Sequence, residues 1–231
     1  MNGSGGDSTD AGWLLALHSS SGELGVGVLP WRGAPAGGAP VPGASGPLQL
    51  PQARLEAFAT GRDLSNRLLC CIESVLPARE WPRLRRLAVA TGPGGFTSTR
   101  LTLVLARTLA QQRGLPLDGV SSFLLIARRL WRERGQPQTP FWLVQELPRR
   151  GPVAGLYGPD PASPDRLVER EAPRLHRELA DLPGQRLPAE PRLPEDVGEL
   201  LAISHEAALR GAPAPWQAVV PLYPTSPVRQ A

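Results

Sequence analysis

The sequence is most informative between Leu87 and Arg100, where it reads LAVATGPGGFTSTR. An apolar, β-type segment runs as far as Thr91 and is followed by a glycine–proline turn. A cluster of threonine and serine then opens an amphipathic segment from Leu101 to Gln112. This order predicts a strand, a tight loop and the N-terminus of a helix. Such a junction presents free backbone N–H groups and the positive end of a helix dipole, which suit an anion or the close approach of another backbone.

The residues around this junction predict alternating strands and helices. Two short segments of alternating hydrophobicity, joined by a glycine turn, predict a hairpin. The predicted elements are the hairpin strands 13–17 and 23–29, an edge strand or short helix at 53–59, a helix at 64–76 capped by Asp63 and stopped by Pro77, the strand 87–91, the helix from Leu101 to its end at Gly114, a short strand at 115–120, and a helix at 123–131 capped by Ser121 or Ser122. This order predicts an α/β domain with an antiparallel hairpin beside parallel crossovers.

The second half of the chain differs from the first in composition and periodicity. Residues 141–146 and 151–157 predict two strands, whereas residues 159–194 are rich in Pro, Arg and acids and have weak periodicity. Residues 195–210 predict a helix between Pro194 and Gly211. The sequence therefore predicts a disordered tail at 1–12, an N-terminal α/β domain at 13–131 with a flexible loop at 30–52, a reduced second α/β domain at 136–215, and a C-terminal segment at 216–231.

Composition excludes several kinds of chemistry. All 25 basic residues are Arg, so the chain has neither a Walker lysine nor a Schiff-base lysine. The Arg residues are interleaved with 21 acids and the net charge is +4, which argues against a dedicated nucleic-acid patch. The adjacent Cys70 and Cys71 suit packing within a helix better than a disulfide or a zinc site. With no signal peptide and no apolar run long enough to span a bilayer, a reduced, cytoplasmic protein is expected.

Five blocks of sequence resemble the TsaB (YeaZ) family, in family order and at family spacing. The block 88–101 resembles V-G-x-G-P-G-S-F-T-G-L-R-I, and it is the most specific. The others are 14–20, which resembles L-A-I-D-T-S; 63–69, which resembles H-S-E-x-L-L; 114–122, which resembles G-I-P-L-x-G-V-S-S-L; and 220–224, which resembles x-P-L-Y-L-R. The resemblance is good from residue 14 to residue 130 and thin from 145 to 193.

The resemblance implies both a fold and a role. The fold is α/β and actin-like, of the ASKHA (ribonuclease H-like) type, with two similar α/β domains of which the second is reduced. The implied role is a non-catalytic scaffold subunit that binds and activates TsaD for N6-threonylcarbamoyladenosine formation at tRNA position 37. The TsaE ATPase joins that pair, TsaC supplies threonylcarbamoyl-AMP, and tRNA is reached through the complex. A homodimer is implied when TsaD is absent, and no membrane is involved.

Departures from the family pattern argue against catalysis. His18 stands where the family has Asp, and an imidazole does not supply the oxygen ligand that Mg²⁺ prefers. Leu64 stands where relatives have His. Serines 19–21 and Thr97–Thr99 have no His or acid in an identifiable relation to them, so they are interpreted as turn and cap residues. The sequence therefore predicts no catalytic residue, no metal, no cofactor and no enzyme activity.

Two features of the sequence allow more than one interpretation. The loop residues Gly92, Gly94, Gly95 and Thr97 fit a tight structural turn, a vestigial nucleotide cleft or a partner contact. The apolar helix positions either face the sheet or form a partner interface, as the family's first two helices do with TsaD. The predicted interface positions are Leu64, Leu68, Leu69, Ile72, Leu105 and Leu109, with Cys70 beside them.

Two rival functions follow from the same residues. One is an actin-like nucleotide-dependent transferase or phosphotransferase, which needs the carboxylate that His18 replaces. The other is an independent tRNA-binding module that relies on Arg.

Overall fold

Two sheets form the framework of the protein, which a computed structural model describes over residues 11–19, 22–32, 52–147 and 150–224. The first sheet has the order β3-β2-β1-β4-β5, and the second has the order β8-β7-β6-β9. Residues 1–10 of the predicted tail, most of the predicted loop at 30–52 and the last seven residues lie outside the described part.

The first sheet combines an antiparallel meander with two parallel strands. Its strands are β1 (Ala11–Ser19), β2 (Glu23–Arg32), β3 (Arg54–Ala59), β4 (Leu84–Ala90) and β5 (Leu117–Val120). The predicted hairpin is confirmed, since β1 and β2 are antiparallel, and β4 pairs in parallel with both β1 and β5. The alternative left open at residues 53–59 is decided in favour of a strand, because β3 pairs along β2 at the edge of the sheet.

Two helices cover one face of this sheet, α1 (Leu64–Val75) and α2 (Phe96–Arg113). Helix α2 begins five residues before the predicted Leu101, so the Thr-Ser-Thr cluster lies inside its first turns. It ends as predicted at Gly114, which takes the left-handed conformation. Asp63 occupies the N-cap position of α1, although its side chain makes no capping hydrogen bond.

Helices α3 (Ser122–Glu133) and α4 (Glu195–Leu209) cover the opposite face of the first sheet. Leu125 of α3 packs there with Leu200 and Leu201 of α4, whereas Phe123 and Trp131 of α3 pack against the second sheet. Helix α3 therefore lies between the two sheets. Helix α4 falls in the range predicted for the second domain, yet it packs on the first sheet.

Buried ion pairs join these two helices. The Arg129 guanidinium donates to the Asp196 carboxylate, with an Nε to Oδ1 distance of 2.6 Å, and also to the Glu190 carbonyl oxygen at 2.7 Å. Arg128 bridges Glu199 and Glu206. Because a buried charge is costly unless it is paired, these pairs fix how α3 and α4 meet.

The second sheet consists of β6 (Phe141–Leu147), β7 (Gly151–Asp160), β8 (Ser163–Leu175) and β9 (Gln185–Pro188). Strands β8 and β9 lie in residues 159–194, where the sequence predicted no strand. The register between β7 and β8 shifts at three points, which interrupts the alternation of inward and outward residues. Strand β9 has only four residues. Both strands therefore lack the regular pattern by which a strand is predicted.

Within the described residues, no helix has the combination of length and apolar character that crossing a bilayer would require.

A glycine in β2 allows α4 to approach the first sheet closely. A Cβ atom at Gly27 would lie 2.5 Å from a methyl group of Val197 and 2.9 Å from one of Leu201. We expect Gly27→Ala to lower the free energy of unfolding by about 1–3 kcal/mol, because overpacking forces the helix or its side chains to shift. Urea unfolding followed by circular dichroism measures this change.

The matched control is Gly22→Ala, because the added Cβ has no atom of the other described residues, its chain neighbours aside, within 4 Å. That variant should stay within about 0.5 kcal/mol of the unchanged protein. Adding Val197→Ala to Gly27→Ala should cost less than the sum of the two single changes. Equal losses at Gly27 and Gly22 would contradict the close packing.

Candidate functional site

The loop between β4 and α2 is tied to two distant parts of the chain. The Ser122 N–H at the start of α3 donates to the Gly92 carbonyl oxygen at 2.8 Å. The Leu222 N–H donates to the Thr91 carbonyl oxygen, also at 2.8 Å. Gly92 has a φ of +98°, and a Cβ there would lie 3.3 Å from the Leu222 carbonyl oxygen. Glycine is therefore needed at this position for backbone geometry.

The outer part of the loop is more open. Thr91 and Gly92 are buried, whereas Gly94 and Thr97 are exposed and Gly95 is partly exposed. The structural interpretation of the loop has direct geometric support at Gly92. For Gly94, Gly95 and Thr97, the alternatives of a vestigial nucleotide cleft and of a partner contact stay predictions.

His18 lies at the end of β1 beneath this loop and is completely buried. Its Nε2 atom lies 3.2 Å from the Ser122 hydroxyl oxygen, while Nδ1 has no hydrogen-bond partner among the described residues. Burial lowers the pKa of His18 to about 4. The imidazole is therefore neutral near pH 7, as an unpaired buried base must be.

The pairing of His18 with Ser122 was not predicted, since 104 positions separate them in the sequence. A serine beside a histidine is one element of nucleophilic catalysis. Here both side chains are buried, and among the described residues no third group orients the imidazole through Nδ1. The pair therefore joins β1 to α3 without offering a nucleophile to a substrate.

The other hydroxyl groups near the loop bond to one another. The hydroxyl oxygens of Ser19 and Thr102 are 3.0 Å apart, and the Thr102 hydroxyl also donates to the Thr99 carbonyl oxygen at 3.1 Å. The Thr99 hydroxyl donates to the Ser19 carbonyl oxygen at 3.4 Å. These bonds connect β1 to the first turns of α2, which is a structural use of the Thr-Ser-Thr cluster.

The site does not fit a magnesium–nucleotide complex. His18 is a buried, neutral imidazole where the family resemblance implies Asp, and it does not supply the oxygen ligand that Mg²⁺ prefers. Within residues 11–19, 22–32, 52–147 and 150–224, no group of three or more His, Cys, Asp or Glu is arranged to hold a metal ion. No reaction step through a metal or a nucleotide follows from this geometry.

The structure corrects part of the predicted interface. Leu64, Leu68 and Ile72 lie in the core beneath α1 and are 4%, 4% and 0% exposed, so the prediction of a surface role is wrong for them. They belong to the stripe of α1 that packs on the sheet. Leu105 and Leu109 are partly buried at the edge of the same core.

Two other positions are exposed. Leu69 on α1 is 49% exposed, and Val104 on α2, which the sequence interpretation missed, is 59% exposed. The packing role predicted for the cysteines holds for the buried Cys71 and is wrong for the exposed Cys70.

Comparison with known proteins gives consistent results. A family model described as TsaD, tRNA N6-adenosine threonylcarbamoyltransferase, matches residues 59–145. The Escherichia coli (strain K12) tRNA threonylcarbamoyladenosine biosynthesis protein TsaB is 32% identical over 76 residues, which are 32% of this chain. That match spans 33% of the length of the curated relative.

Two solved structures share the fold over nearly the whole chain. An uncharacterized Pseudomonas aeruginosa protein with similarity to peptidase YEAZ has a TM-score of 0.65 at 18% identity, covering 93% of this chain and 100% of that one. YeaZ from Pseudomonas aeruginosa has a TM-score of 0.61 at 20% identity, covering 92% and 99%. The actin-like ASKHA fold expected from the sequence is thereby confirmed.

The buried His18 should make stability depend on pH. Its pKa is about 4 in the folded chain and about 6.5 when unfolded, so the unfolded chain binds more protons between these values. The free energy of unfolding should therefore fall by about 3 kcal/mol from this group as pH falls from about 6.5 to 4. Urea unfolding across that range measures the change.

In His18→Gln this part of the pH dependence should disappear, while carboxylate protonation contributes equally to both proteins. Burial also lowers the pKa of His205, so His205→Gln is the matched control and should keep the His18 contribution. Identical pH profiles for His18→Gln and the unchanged protein would contradict a neutral, buried His18.

Proposed function

We propose a function for this chain from the premise that it belongs to the TsaB (YeaZ) family. The chain acts in tRNA threonylcarbamoyladenosine biosynthesis as a non-catalytic scaffold. It binds TsaD in the cytoplasm and holds it in an active arrangement for modification of tRNA position 37. The observation that carries this proposal is the exposure of apolar side chains on α1 and α2, in a chain whose His18 and Ser122 are buried against each other.

The surface on α1 and α2 has the composition of a protein interface. Leu69 and Val104 present about half of their side-chain surface to solvent. Leu101, Leu105 and Leu109 of α2 are partly buried and pack against the core that also contains the inner side of α1. Apolar side chains gathered on one surface of a soluble domain indicate a partner, because their exposure is unfavourable. This group of five residues is called the docking face below.

The proposed lack of chemistry is supported by the site beneath the loop. The Ser122 hydroxyl oxygen lies 3.2 Å from Nε2 of His18, and Ser122 is 2% exposed. His18 bonds to it from one side and has no carboxylate partner on the other among the described residues. A subunit without its own chemistry acts through the geometry it imposes on a partner.

The proposed complex has further members. TsaE joins the complex, and tRNA reaches this chain as part of the complex. When TsaD is absent, the docking face joins two copies of this chain.

Reconstitution with TsaC, TsaD and TsaE tests this proposal. Modification of tRNA should require this chain, measured as incorporation of labelled threonine into the nucleoside. Leu69→Glu and Val104→Glu should each lower the affinity for TsaD by about 30-fold or more and so reduce co-elution with it. The reason is that an unpaired carboxylate buried in an interface costs at least about 2 kcal/mol. Neither change should lower the unfolding midpoint, since both side chains are exposed.

The matched control is Leu209→Glu on α4, where the side chain is 48% exposed, close to the 49% of Leu69. That variant should co-elute normally. Equal modification of tRNA with and without this chain would overturn the proposed function. Normal co-elution of both docking-face variants would show that the interface lies elsewhere, without contradicting the proposed function.

A further inference from the structure

A second surface of α2 carries arginines in contact with aromatic rings. The Arg100 guanidinium carbon lies 3.7 Å from the centre of the Phe96 ring and 4.9 Å from that of the Tyr223 ring. Its Nε–H donates to the Tyr223 hydroxyl group. Phe96 and Tyr223 nevertheless remain 51% and 39% exposed, so each ring keeps free surface.

Another arginine, two turns along α2, contacts a single aromatic ring. The Arg107 guanidinium lies 5.6 Å from the centre of the Trp216 ring and donates to the Val219 carbonyl oxygen at 2.8 Å. Phe96, Arg100 and Arg107 lie at positions i, i+4 and i+11 of the helix and therefore share one side of it. Trp216 and Tyr223 belong to the C-terminal segment that runs beside α2. These five residues are called the stacking row.

The surroundings of the stacking row favour an anionic ligand. Both segments that build it are free of acids, since the sequence has no Asp or Glu between Glu80 and Asp118 and none after Glu206. Arg100 forms no ion pair with any carboxylate in the described part of the chain. Its two Nη groups are thus open to a phosphate, while the nearby rings hold the guanidinium plane in place.

The stacking row differs from the docking face but adjoins it at Val104, which lies four residues after Arg100 and three before Arg107 on α2 and so neighbours both. Leu101, Leu105 and Leu109 lie on the side of α2 that borders the core beneath α1, whereas Arg100 and Arg107 lie on the side that borders the C-terminal segment.

We propose that the stacking row binds a single-stranded stretch of RNA. Bases stack on the exposed faces of Phe96 and Tyr223, and the Arg100 guanidinium binds the phosphates between them. Exposed rings interleaved with arginine are the surface that single strands use, because every base has an aromatic face. The choice of RNA over other single-stranded nucleic acids rests on the proposed role in tRNA modification. The proposed stacking of bases on the rings does not depend on that role.

Fluorescence anisotropy with a labelled 12-nucleotide single-stranded RNA of mixed sequence tests this inference on the full chain at low salt. Binding should weaken as salt rises, and Arg100→Gln should lessen the slope of log K against log salt by about 0.7 for each phosphate that the arginine neutralises. Phe96→Leu and Tyr223→Leu should each weaken binding at least about fivefold, since each removes a stacking platform while keeping an apolar side chain. Unfolding midpoints confirm that the variants remain folded.

The matched control is Arg134→Gln, which removes an exposed positive charge at the far end of α3 and should change affinity less than twofold. A 12-base-pair RNA duplex should bind more weakly than the single strand, because its bases are already stacked. Absence of single-strand binding at 50 mM salt, equal binding of the duplex, or equal losses in Arg134→Gln and Arg100→Gln would each overturn the inference.

Co-elution with TsaD separates this inference from the proposed function. Arg100→Gln should retain TsaD while losing RNA. If it loses TsaD and keeps RNA, the stacking row is a protein contact and the RNA inference is wrong. If the unchanged chain retains TsaD and supports modification without binding RNA, only the RNA inference fails.

Discussion

The turn at Gly92 is where separate parts of the chain are held together by backbone hydrogen bonds. Strand β4 ends there, α3 starts against it through the Ser122 N–H, and the C-terminal segment closes on it through the Leu222 N–H. Buried peptide groups need such partners, so each of these segments is constrained to its place. Because α3 also packs against the second sheet, the position of the turn influences how the two sheets are related.

The same constraint determines what the interior can do. Because the first residue of α3, Ser122, is bonded to Gly92, its side chain meets His18, and both side chains are buried. Burial keeps the imidazole neutral and without a second partner among the described residues. The features suited to recognition therefore lie outside, on the exposed surfaces of α1 and α2. In the proposed function and the further inference, α2 contributes both to the protein contact and to the RNA contact, which adjoin at Val104.

Much of the first half could be predicted because its signals are local. The glycine–proline turn, the alternation in β1 and β2 and the apolar stripe of α1 each depend on residues close in sequence. Strands β8 and β9 could not be predicted in this way, since β8 has an irregular register and β9 is short. Helix α4 was predicted as a helix, but its attachment to the first sheet depends on Gly25 and Gly27 in a strand some 170 positions earlier.

The sequence by itself determined the family resemblance, the fold class and the lack of lysine chemistry, because these depend on residue identity and short-range order. Only the tertiary structure decided which apolar helix positions are buried, since the stripes of α1 and α2 show periodicity but not which neighbour each side meets. It placed Leu64, Leu68 and Ile72 in the core and left Leu69 and Val104 outside. It also brought His18 to Ser122 and Tyr223 to Arg100, pairs that are separated by more than 100 residues and meet only when the chain has folded.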